Sequence, residues 1–388
     1  MDDSPRKNGE LTIALVGLRF GAEFAPIYKA HPNVREVVIC DQDPEQLKTV
    51  GDRFGIERRM SSLEEVLAAA DIDAVHLVTP VTLHGAQSIQ VLEAGKHCAC
   101  TIPAALDLDE LERIVELETQ TGLRYMMMET AVYTREFLFV KDLYERGEFG
   151  DLSFARGAHL QDMEGWPGYW QGFPPLAHIT HAIGPVLALT GAAATTVHCF
   201  GSGRLSPEME RNYGNPFPVE TAIFRLEDVD IAVEVTRSMF RTARPYTESF
   251  AVYGDKLGFE WPQLEEEQPL LFEMRGLEAE RGRPIDVRRF DAPDRADLLP
   301  EEIRHFTKEF VYEGGDHLSF VQGGGHGGSH PHLVHEFVSA IVEDRPSSID
   351  AATAANWTAA GIAAHESAMK GGAAVAIRRF DQQLVPQQ

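Results

Sequence analysis

Two histidines stand three residues apart near the middle of this chain, a spacing that suits proton transfer. The surrounding residues, from about Leu176 to Leu189, predict a helix, so His178 and His181 should share one helix face. Because an imidazole titrates close to neutral pH, it is a good general base for a hydroxyl proton. We assign His181 as the candidate acid/base and His178 as a group that orients substrate or shares the proton. The alternative is that backbone or water satisfies both rings.

A second group of histidines lies in a glycine-rich run, GGGHGGSHPH, that begins at Gly323. Glycines let the backbone approach a ligand closely, so we interpret the run as a substrate loop with His326 and His330 as contacts. His332 and His335 would share a helix face and could hold a metal ion, but the nearby carboxylates form no recognised ligand pattern. We predict no metal, and the remaining alternative is a turn whose histidines face solvent.

A strand-like segment at 152–160 carries further polar side chains and leads into aromatic residues. Arg156 and His159 can bond hydroxyl groups, and Trp166 and Tyr169 can stack on the apolar face of a ring. Aromatic side chains in such positions are as often plain packing. The segment is therefore a candidate substrate surface, with packing as the alternative.

Glu129 directly follows an apolar, strand-like run that ends at Met128. If it is buried with a raised pKa, its carboxyl group would be a third acid/base group. It could equally cap the next helix together with Thr130. Both interpretations stay open at the level of sequence.

The elements that must position these groups begin with a glycine turn after the first apolar run, Leu11 to Val16. The turn reads, in chain order, Gly17, Leu18, Arg19, Phe20, Gly21 and Ala22. The two glycines permit a tight turn, and free N–H groups at the start of the next helix can bind a phosphate. Arg19 replaces the second glycine of the usual fingerprint, and its guanidinium could contact a phosphate instead. The turn predicts a dinucleotide site in a weakened form.

An aspartate strengthens the dinucleotide interpretation. Asp41 closes the second apolar run, 19 residues after Ala22. A carboxylate there would bond the ribose hydroxyls and repel a 2′-phosphate, and the next residues, Gln42 and Asp43, add no cation. NAD is therefore the expected cofactor, in preference to NADP. The alternative is an aspartate that only caps the next turn.

Strand and helix patterns alternate up to about residue 130 and predict a doubly wound parallel sheet. Strand patterns then follow one another and predict a mostly antiparallel sheet; they lie at 152–160, 196–200, 219–226, 231–239 and 249–253. We expect an α/β fold with two domains, 1–130 for the cofactor and 131–388 for substrate and oligomer contacts. Helices at about 332–369 should pack back, and residues 262–325 are interpreted as a long excursion or an oligomer contact.

The composition excludes some partners. The chain has 388 residues and a formal net charge of −25, which argues against nucleic acid and anionic membranes as partners. Its four cysteines lack zinc-finger spacing and are expected to be buried, reduced thiols. The first ten residues lack an apolar signal core, and no apolar run is long enough to span a bilayer, so a cytoplasmic location is expected.

Three further motifs resemble the Gfo/Idh/MocA oxidoreductases, which include glucose–fructose oxidoreductase and inositol dehydrogenase. The family motif TPxxxH is similar to the run with Thr79, Pro80 and His84, and the motif AGKH to the run at 94–97. The motif EKP corresponds to Thr101, Ile102 and Pro103. The resemblance implies that the TPxxxH and EKP positions line the cofactor. It implies a Rossmann domain, a C-terminal α+β domain with a large, mostly antiparallel open sheet, a sugar or cyclitol substrate, and a homodimer or homotetramer.

Two departures from the family pattern concern acid/base groups. Ile102 stands where the resemblance places a lysine, and an isoleucine side chain cannot carry a proton. In the family's DxGxHxxD helix, His181 matches the histidine, while Ala177 and Gly184 replace the two acids. We therefore expect the proton path to have moved to His181 and its neighbours.

Three functions are consistent with these residues. The first is NAD-dependent hydride transfer at a hydroxyl carbon of a sugar, cyclitol or glycoside, with His181 as acid/base. The second is an NAD-assisted lyase, glycosidase or epimerase, in which NAD is reduced only transiently. The third is a non-catalytic NAD-binding sensor. The histidines in the substrate segments favour the two catalytic functions.

Overall fold

The structure is a computed structural model of the full sequence. It describes most of the chain, in the ranges 10–264, 267–278, 280–308, 310–311, 321–322 and 325–381. The first ten residues, which are expected to lack a signal core, lie almost entirely outside this part. Gly323 and Gly324 of the glycine-rich run also lie outside it. All statements below concern the described residues.

The chain forms two compact units. The first contains the residues up to Tyr133 together with Asp294–Ala355, and the second contains Thr134–Pro293 and Asn356–Phe380. The predicted domain boundary at residue 130 differs from this division. It assigns residues 294–355 to the second domain, whereas the structure places them in the first unit. The physical reason for the difference is an apolar core that Leu333 and Phe337 share with Phe24 and Tyr28 in the first unit.

The first unit is built on a six-stranded sheet. Its strands are β1 Leu11–Val16, β2 Val34–Cys40, β3 Arg59–Met60, β4 Ala74–Leu77, β5 His97–Cys100 and β6 Tyr125–Met127. The strand order is β3-β2-β1-β4-β5-β6, and every pairing is parallel. Right-handed crossovers in this order produce the doubly wound nucleotide-binding sheet.

Helices connect these strands and begin and end at predictable residues. They are α1 Ala25–Ala30, α2 Pro44–Phe54, α3 Leu63–Ala68, α4 His84–Glu93 and α5 Leu108–Thr121. Asp107 caps α5 by accepting from the Asp109 and Glu110 N–H groups, and Gly122 ends it in the left-handed conformation. The later part of the unit adds the short strands β15 Phe310–Val311 and β16 Val321–Gln322, which pair with each other, and the helix α9 His330–Val342.

The second unit is built on a nine-stranded sheet. Its strands are β7 Leu152–Leu160, β8 Ala194–Ser202, β9 Val219–Leu226, β10 Ala232–Ser238, β11 Thr247–Gly254, β12 Leu257–Glu260, β13 Leu270–Met274, β14 Ile285–Arg289 and β17 Val375–Ala376. They lie in the order β14-β13-β12-β11-β7-β10-β9-β8-β17. Only β7 and β10 pair in parallel, and the other described pairings are antiparallel. Strands β13 and β14 correct the interpretation of 262–325 as an excursion, because both extend this sheet.

Among the described residues, four α-helices belong wholly or mostly to this unit. They are α6 Arg135–Glu145, α7 Thr180–Thr190, α8 Pro207–Tyr213 and α10 Ala351–Met369. The predicted helix at 176–189 is divided in two, since a 3-10 turn at Pro175–His178 precedes α7. The predicted fold class, a parallel Rossmann sheet followed by a mostly antiparallel sheet with helices, is confirmed.

Two simpler expectations can be compared with the structure. All four cysteines are buried and free of disulfides. Among the described residues, none of the helices combines the length and the apolar character needed to cross a membrane.

Candidate functional site

The glycine turn of the first unit is tight because strand β4 ends directly beneath it. Gly17 has a φ of +89°, and a Cβ there would lie 2.3 Å from the Val78 carbonyl oxygen. Its N–H donates to the Cys40 carbonyl at 2.9 Å, which joins the ends of β1 and β2. A Cβ on Gly21 would already lie 3.3 Å from Val78 Cβ. Gly17 is therefore required by close backbone approach, whereas a side chain at position 21 would need only a small shift of Val78.

Asp41 holds the same turn from the side of β2. One carboxylate oxygen accepts from the Leu18 N–H at 2.8 Å, and the other accepts from the Asp43 N–H at 2.9 Å. The Gln46 amide donates to the Leu18 carbonyl at 3.0 Å. Since each carboxylate oxygen has two lone pairs, Asp41 can shape the turn and still accept from ribose hydroxyls. Arg19 is exposed at the turn, and Ala22 is buried beneath it.

His84, at the start of α4, is a buried clamp between two loops that follow β4 and β5. Its Nε2 lies 2.8 Å from the Thr79 carbonyl, and its Nδ1 lies 2.8 Å from the Pro103 carbonyl. Carbonyl oxygens only accept, so both ring nitrogens donate and the ring is an imidazolium. Burial lowers the pKa of His84, but the Cys100 side chain and the two carbonyl acceptors outweigh it and raise the pKa to about 9.

The residues expected beside the nicotinamide are mostly buried in the first unit. The side chain of Ile102 is 6% exposed, and the Thr101 hydroxyl donates to the Leu77 carbonyl at 3.3 Å. Pro80, of the TPxxxH motif, is half-buried. Glu129 is fully buried, and its Oε1 accepts from the Ala131 N–H at 2.9 Å, which caps the following turn. The capping alternative is therefore observed for Glu129, and its acid/base role stays a prediction.

The glycine-rich run places its two candidate histidines differently. His326 is half-buried in a left-handed conformation with φ of 55° and packs edge-on to Phe20 at a 5.5 Å centroid distance. His330 is fully buried at the start of α9, and its Nδ1 lies 3.3 Å from the carboxyl group of Glu23. Burial raises the pKa of Glu23 to about 8 and lowers that of His330 well below its usual value. This neutral, buried pair does not favour His330 as a substrate contact, and the interpretation of the run as a substrate loop stays a prediction.

In the second unit, the sheet register aligns three chemically active side chains. His159 of β7 lies opposite Arg237 of β10 on one side and Glu248 of β11 on the other. Directly paired residues of neighbouring strands project from the same face of a sheet. The three therefore form a row across the centre of the sheet, on the face that α7 covers.

A glycine brings helix α7 against this row. A Cβ on Gly157 would lie 1.9 Å from the Ala182 carbonyl oxygen, so any larger residue would push the helix away. This close approach brings His181 Nε2 to 3.2 Å from Glu248 Oε1. The ring centroid of His159 lies 5.1 Å from that of His181.

The turn before α7 contributes His178, and a buried carboxylate fixes that turn. Glu220 is fully buried and accepts from the Leu176 N–H at 2.9 Å and from His365 at 2.6 Å. The ring centroids of His178 and His181 are 5.4 Å apart. The predicted pair is therefore close in space, although the two residues belong to different helical segments.

Burial decides the charge states around this cluster. His159 is 1% exposed, and burial, with the charge of Arg237 and the two neighbouring histidines, holds its pKa well below the usual value. Burial lowers the pKa of Arg237 to about 10, which leaves it cationic at neutral pH. Its Nη2 donates to Gln161 at 2.8 Å, and its Nη1 donates to the carbonyls of His159 and Ser238.

Aromatic rings lie next to the cluster. The ring centroid of Trp170 lies 6.1 Å from that of His178 and 5.5 Å from that of Trp166. Trp166 and Tyr169 are about two-fifths exposed, as a stacking surface requires. Arg156 does not join them: strand alternation puts it on the opposite face from His159, where it pairs with Glu234 at 3.4 Å.

Sequence reasoning missed Arg237 and Glu248. Every second residue of β10 is buried, in the order Val233, Val235 and Arg237. A cation in such a series of apolar positions is the signal that could have revealed Arg237. Glu248 carries no comparable signal, because its role depends on which residue of β7 it faces.

The strand order of the first unit, its glycine turn and Asp41 together define an NAD-binding Rossmann fold. Residues 11–129 match the model of an oxidoreductase family with this fold. Over these residues the chain is similar to the Gfo/Idh/MocA oxidoreductases, and the expected cofactor, NAD, is the one that this family binds.

Individual relatives are similar to the chain over most of its length. A glycosyl hydrolase family 109 protein of Porphyromonas gingivalis is 24% identical over 95% of this chain and 84% of its own. A levoglucosan dehydrogenase in complex with NADH and levoglucosan has a TM-score of 0.74, with 21% identity over 95% of this chain and all of its own. A scyllo-inositol dehydrogenase of Lactobacillus casei, with NAD(H) and scyllo-inositol, has a TM-score of 0.68, with 19% identity over 95% of this chain and 99% of its own. At these identities the two structures show the fold alone.

Proposed function

We propose that the chain moves a hydride between NAD and a hydroxyl carbon of a sugar, cyclitol or glycoside, with His181 as acid/base. The contact between His181 and Glu248, inside a buried histidine cluster beside exposed aromatic rings, carries this proposal. Oxidation of a hydroxyl carbon releases a hydride and a proton, so the site needs one group that accepts the proton. Ile102 cannot do so, whereas one nitrogen of His181 can accept a proton while the other lies 3.2 Å from the Glu248 carboxylate.

The other site residues receive roles that follow from their positions. Glu248 orients the His181 ring, as a carboxylate does for a catalytic histidine. His178 and His159 offer hydrogen bonds to substrate hydroxyls. Trp166 and Tyr169 offer faces for the apolar side of a ring. NAD, when bound at the glycine turn and Asp41, supplies the hydride acceptor.

A second candidate function is NAD-assisted glycoside cleavage with transient oxidation. The similarity to a glycosyl hydrolase family 109 protein over 95% of the chain favours it. In such a reaction the transient ketone acidifies the neighbouring C–H bond, a base removes that proton, and the leaving group departs before the hydride returns. The same histidine cluster would supply the base.

One experiment separates these candidates. The purified chain is incubated with NAD and a panel of sugars, cyclitols and glycosides, and both NADH absorbance and product mass are followed. Net NADH with a product lighter by two hydrogens supports the proposed function. Release of the aglycone without net NADH supports the second candidate. Binding of NAD without either change, across the panel, contradicts both.

We also propose that the chain is a homodimer or homotetramer. Phe154, Phe200 and Ile223 lie on the sheet face opposite the histidine row and are 42%, 61% and 45% exposed. Large apolar side chains on one exposed face favour association with a second copy. Light scattering after size exclusion should give two or four chains, and a monomer at micromolar concentration would contradict the proposal.

A further inference from the structure

The histidine cluster has a geometry that hydroxyl binding alone does not require. The ring nitrogens of His159, His178 and His181 lie within 4.8 Å of one another, and all three side chains are buried. We propose that these three histidines bind one divalent transition-metal ion, of the Zn²⁺ type. The proposal concerns residues of the second unit only.

The ring spacing fits such an ion. Tetrahedral zinc with Zn–N bonds of 2.0–2.1 Å would hold imidazole centroids about 5.2 Å apart. The three observed centroid distances are 5.1, 5.4 and 5.7 Å. Small rotations of the rings are therefore enough to direct one nitrogen of each toward a common point. Three protein ligands would leave a fourth position open for a water or hydroxyl oxygen.

Unsatisfied hydrogen-bonding capacity supports the same conclusion. His159 is 1% exposed, and neither of its ring nitrogens makes a hydrogen bond of normal geometry among the described residues. The Gln161 side chain is near enough to affect the pKa of His159, but its oxygen already accepts from Arg237. A buried polar group without a partner is destabilising by about 1–3 kcal/mol and is uncommon in folded proteins. A metal ion would use the lone pair of one of these nitrogens.

Glu248 and Arg237 complete the surroundings of the proposed ion. A histidine that binds metal usually donates its other ring N–H to a carboxylate, which fixes the tautomer. Glu248 lies 3.2 Å from His181 and suits this role. The charge of Arg237 opposes a second cation, but its terminal N–H groups donate to Gln161 and to backbone carbonyls, and the carboxylate of Glu248 offsets it.

A bound ion would act on the proposed function, on which this consequence rests. The metal would occupy the lone pair that His181 uses as a base, so the metal-loaded chain should transfer hydride more slowly than the metal-free chain. The cluster would then let a divalent metal ion inhibit the reaction reversibly.

Metal binding can be measured without any substrate. The full chain is stripped with a chelator and dialysed against Zn²⁺ or Co²⁺, and bound metal per chain and the visible spectrum of the Co²⁺ form are recorded. We expect one tightly bound ion per chain with a tetrahedral Co²⁺ spectrum. His159→Gln should weaken binding at least 100-fold, and Glu248→Gln, which leaves the three ligands in place, should weaken it about tenfold. The matched control is His198→Gln, because His198 is an exposed histidine on the opposite sheet face. This variant should bind the metal ion as the wild type does.

Two results would overturn the proposal: a wild type that binds no more metal than His159→Gln, or a loss of binding in the His198→Gln control equal to that in His159→Gln. Glu248→Gln keeps the test valid if His159→Gln fails to fold. The metal-free chain is assayed in parallel for NADH formation. If the chain binds metal in the dialysis but the metal-free chain forms no NADH, only the proposed function is contradicted. If the metal-free chain forms NADH but the chain binds no metal in the dialysis, only the metal site is contradicted.

Discussion

One buried histidine in each unit shows two different uses of a polar side chain. In the first unit, both ring nitrogens of His84 and both carboxylate oxygens of Asp41 are bonded to the backbone at 2.8–2.9 Å. In the second unit, His159 is as buried as His84, and neither of its ring nitrogens makes a hydrogen bond of normal geometry among the described residues, although the Gln161 side chain is near enough to affect its pKa. Buried polar groups that already have partners shape the backbone, while those without one are available to bind something else. His84 therefore fixes the backbone of the candidate cofactor site, whereas the ring of His159 is the side chain that the proposed functions use.

The largest expected effect tests the second half of this contrast. His181→Gln should lower kcat by about 10²–10⁴-fold, because the proton acceptor is lost, while NAD affinity stays the same. Steady-state kinetics and NAD titration measure the two quantities separately. His198→Gln serves as the control for loss of a histidine elsewhere in the same unit. Wild-type kcat in His181→Gln would contradict the proton role.

The next effect tests the clamp of the first unit. The pKa of His84 is raised from 6.5 to about 9, so its stabilisation is complete below pH 6.5 and is lost as the pH rises through 9. This contribution is on the order of 3 kcal/mol. Denaturant unfolding of the wild type and of His84→Gln at about pH 6 and about pH 10 would show it. Between these two pH values, the free energy of unfolding should fall more in the wild type than in the variant. Equal falls in both proteins would contradict the prediction.

The smallest effect concerns the cofactor carboxylate. Asp41→Asn keeps an acceptor for the turn but removes the charge, so NAD should bind roughly tenfold more weakly and discrimination against NADP should fall. Calorimetric titration with both cofactors measures this. Asp43→Asn, which alters only the cap of α2, is the matched control and should leave NAD affinity unchanged. Equal affinities in wild type and Asp41→Asn would remove Asp41 from the ribose site.

The same contrast explains how much the sequence could predict. The turn at Gly17 and the position of Asp41 are recognisable because local spacing determines them, and β1 has the predicted bounds, Leu11–Val16. Leu152–Leu160 and Val219–Leu226 were also predicted correctly from alternation. In both sheets, the stretches of the chain that form strands can therefore be recognised from patterns of a few residues.

Pairing between distant segments was not predictable in this way. The pairing of Glu248 with His159 depends on strand register, and the burial of His330 against Glu23 depends on how α9 packs in the first unit. Arg156 was grouped with His159 because the two are near in sequence, although a separation of three residues places them on opposite faces of a strand. Register and long-range packing result from the whole core, which no short window contains.

Deuterium transfer tests the central claim most directly. A substrate from the panel, such as levoglucosan or scyllo-inositol, is deuterated at its hydroxyl carbons and mixed with the metal-free chain and NAD, and the nicotinamide is then analysed by mass spectrometry. The account predicts deuterium on the nicotinamide of the wild type and little or none with His181→Gln. Tight NAD binding without deuterium transfer from any tested sugar, cyclitol or glycoside would contradict it.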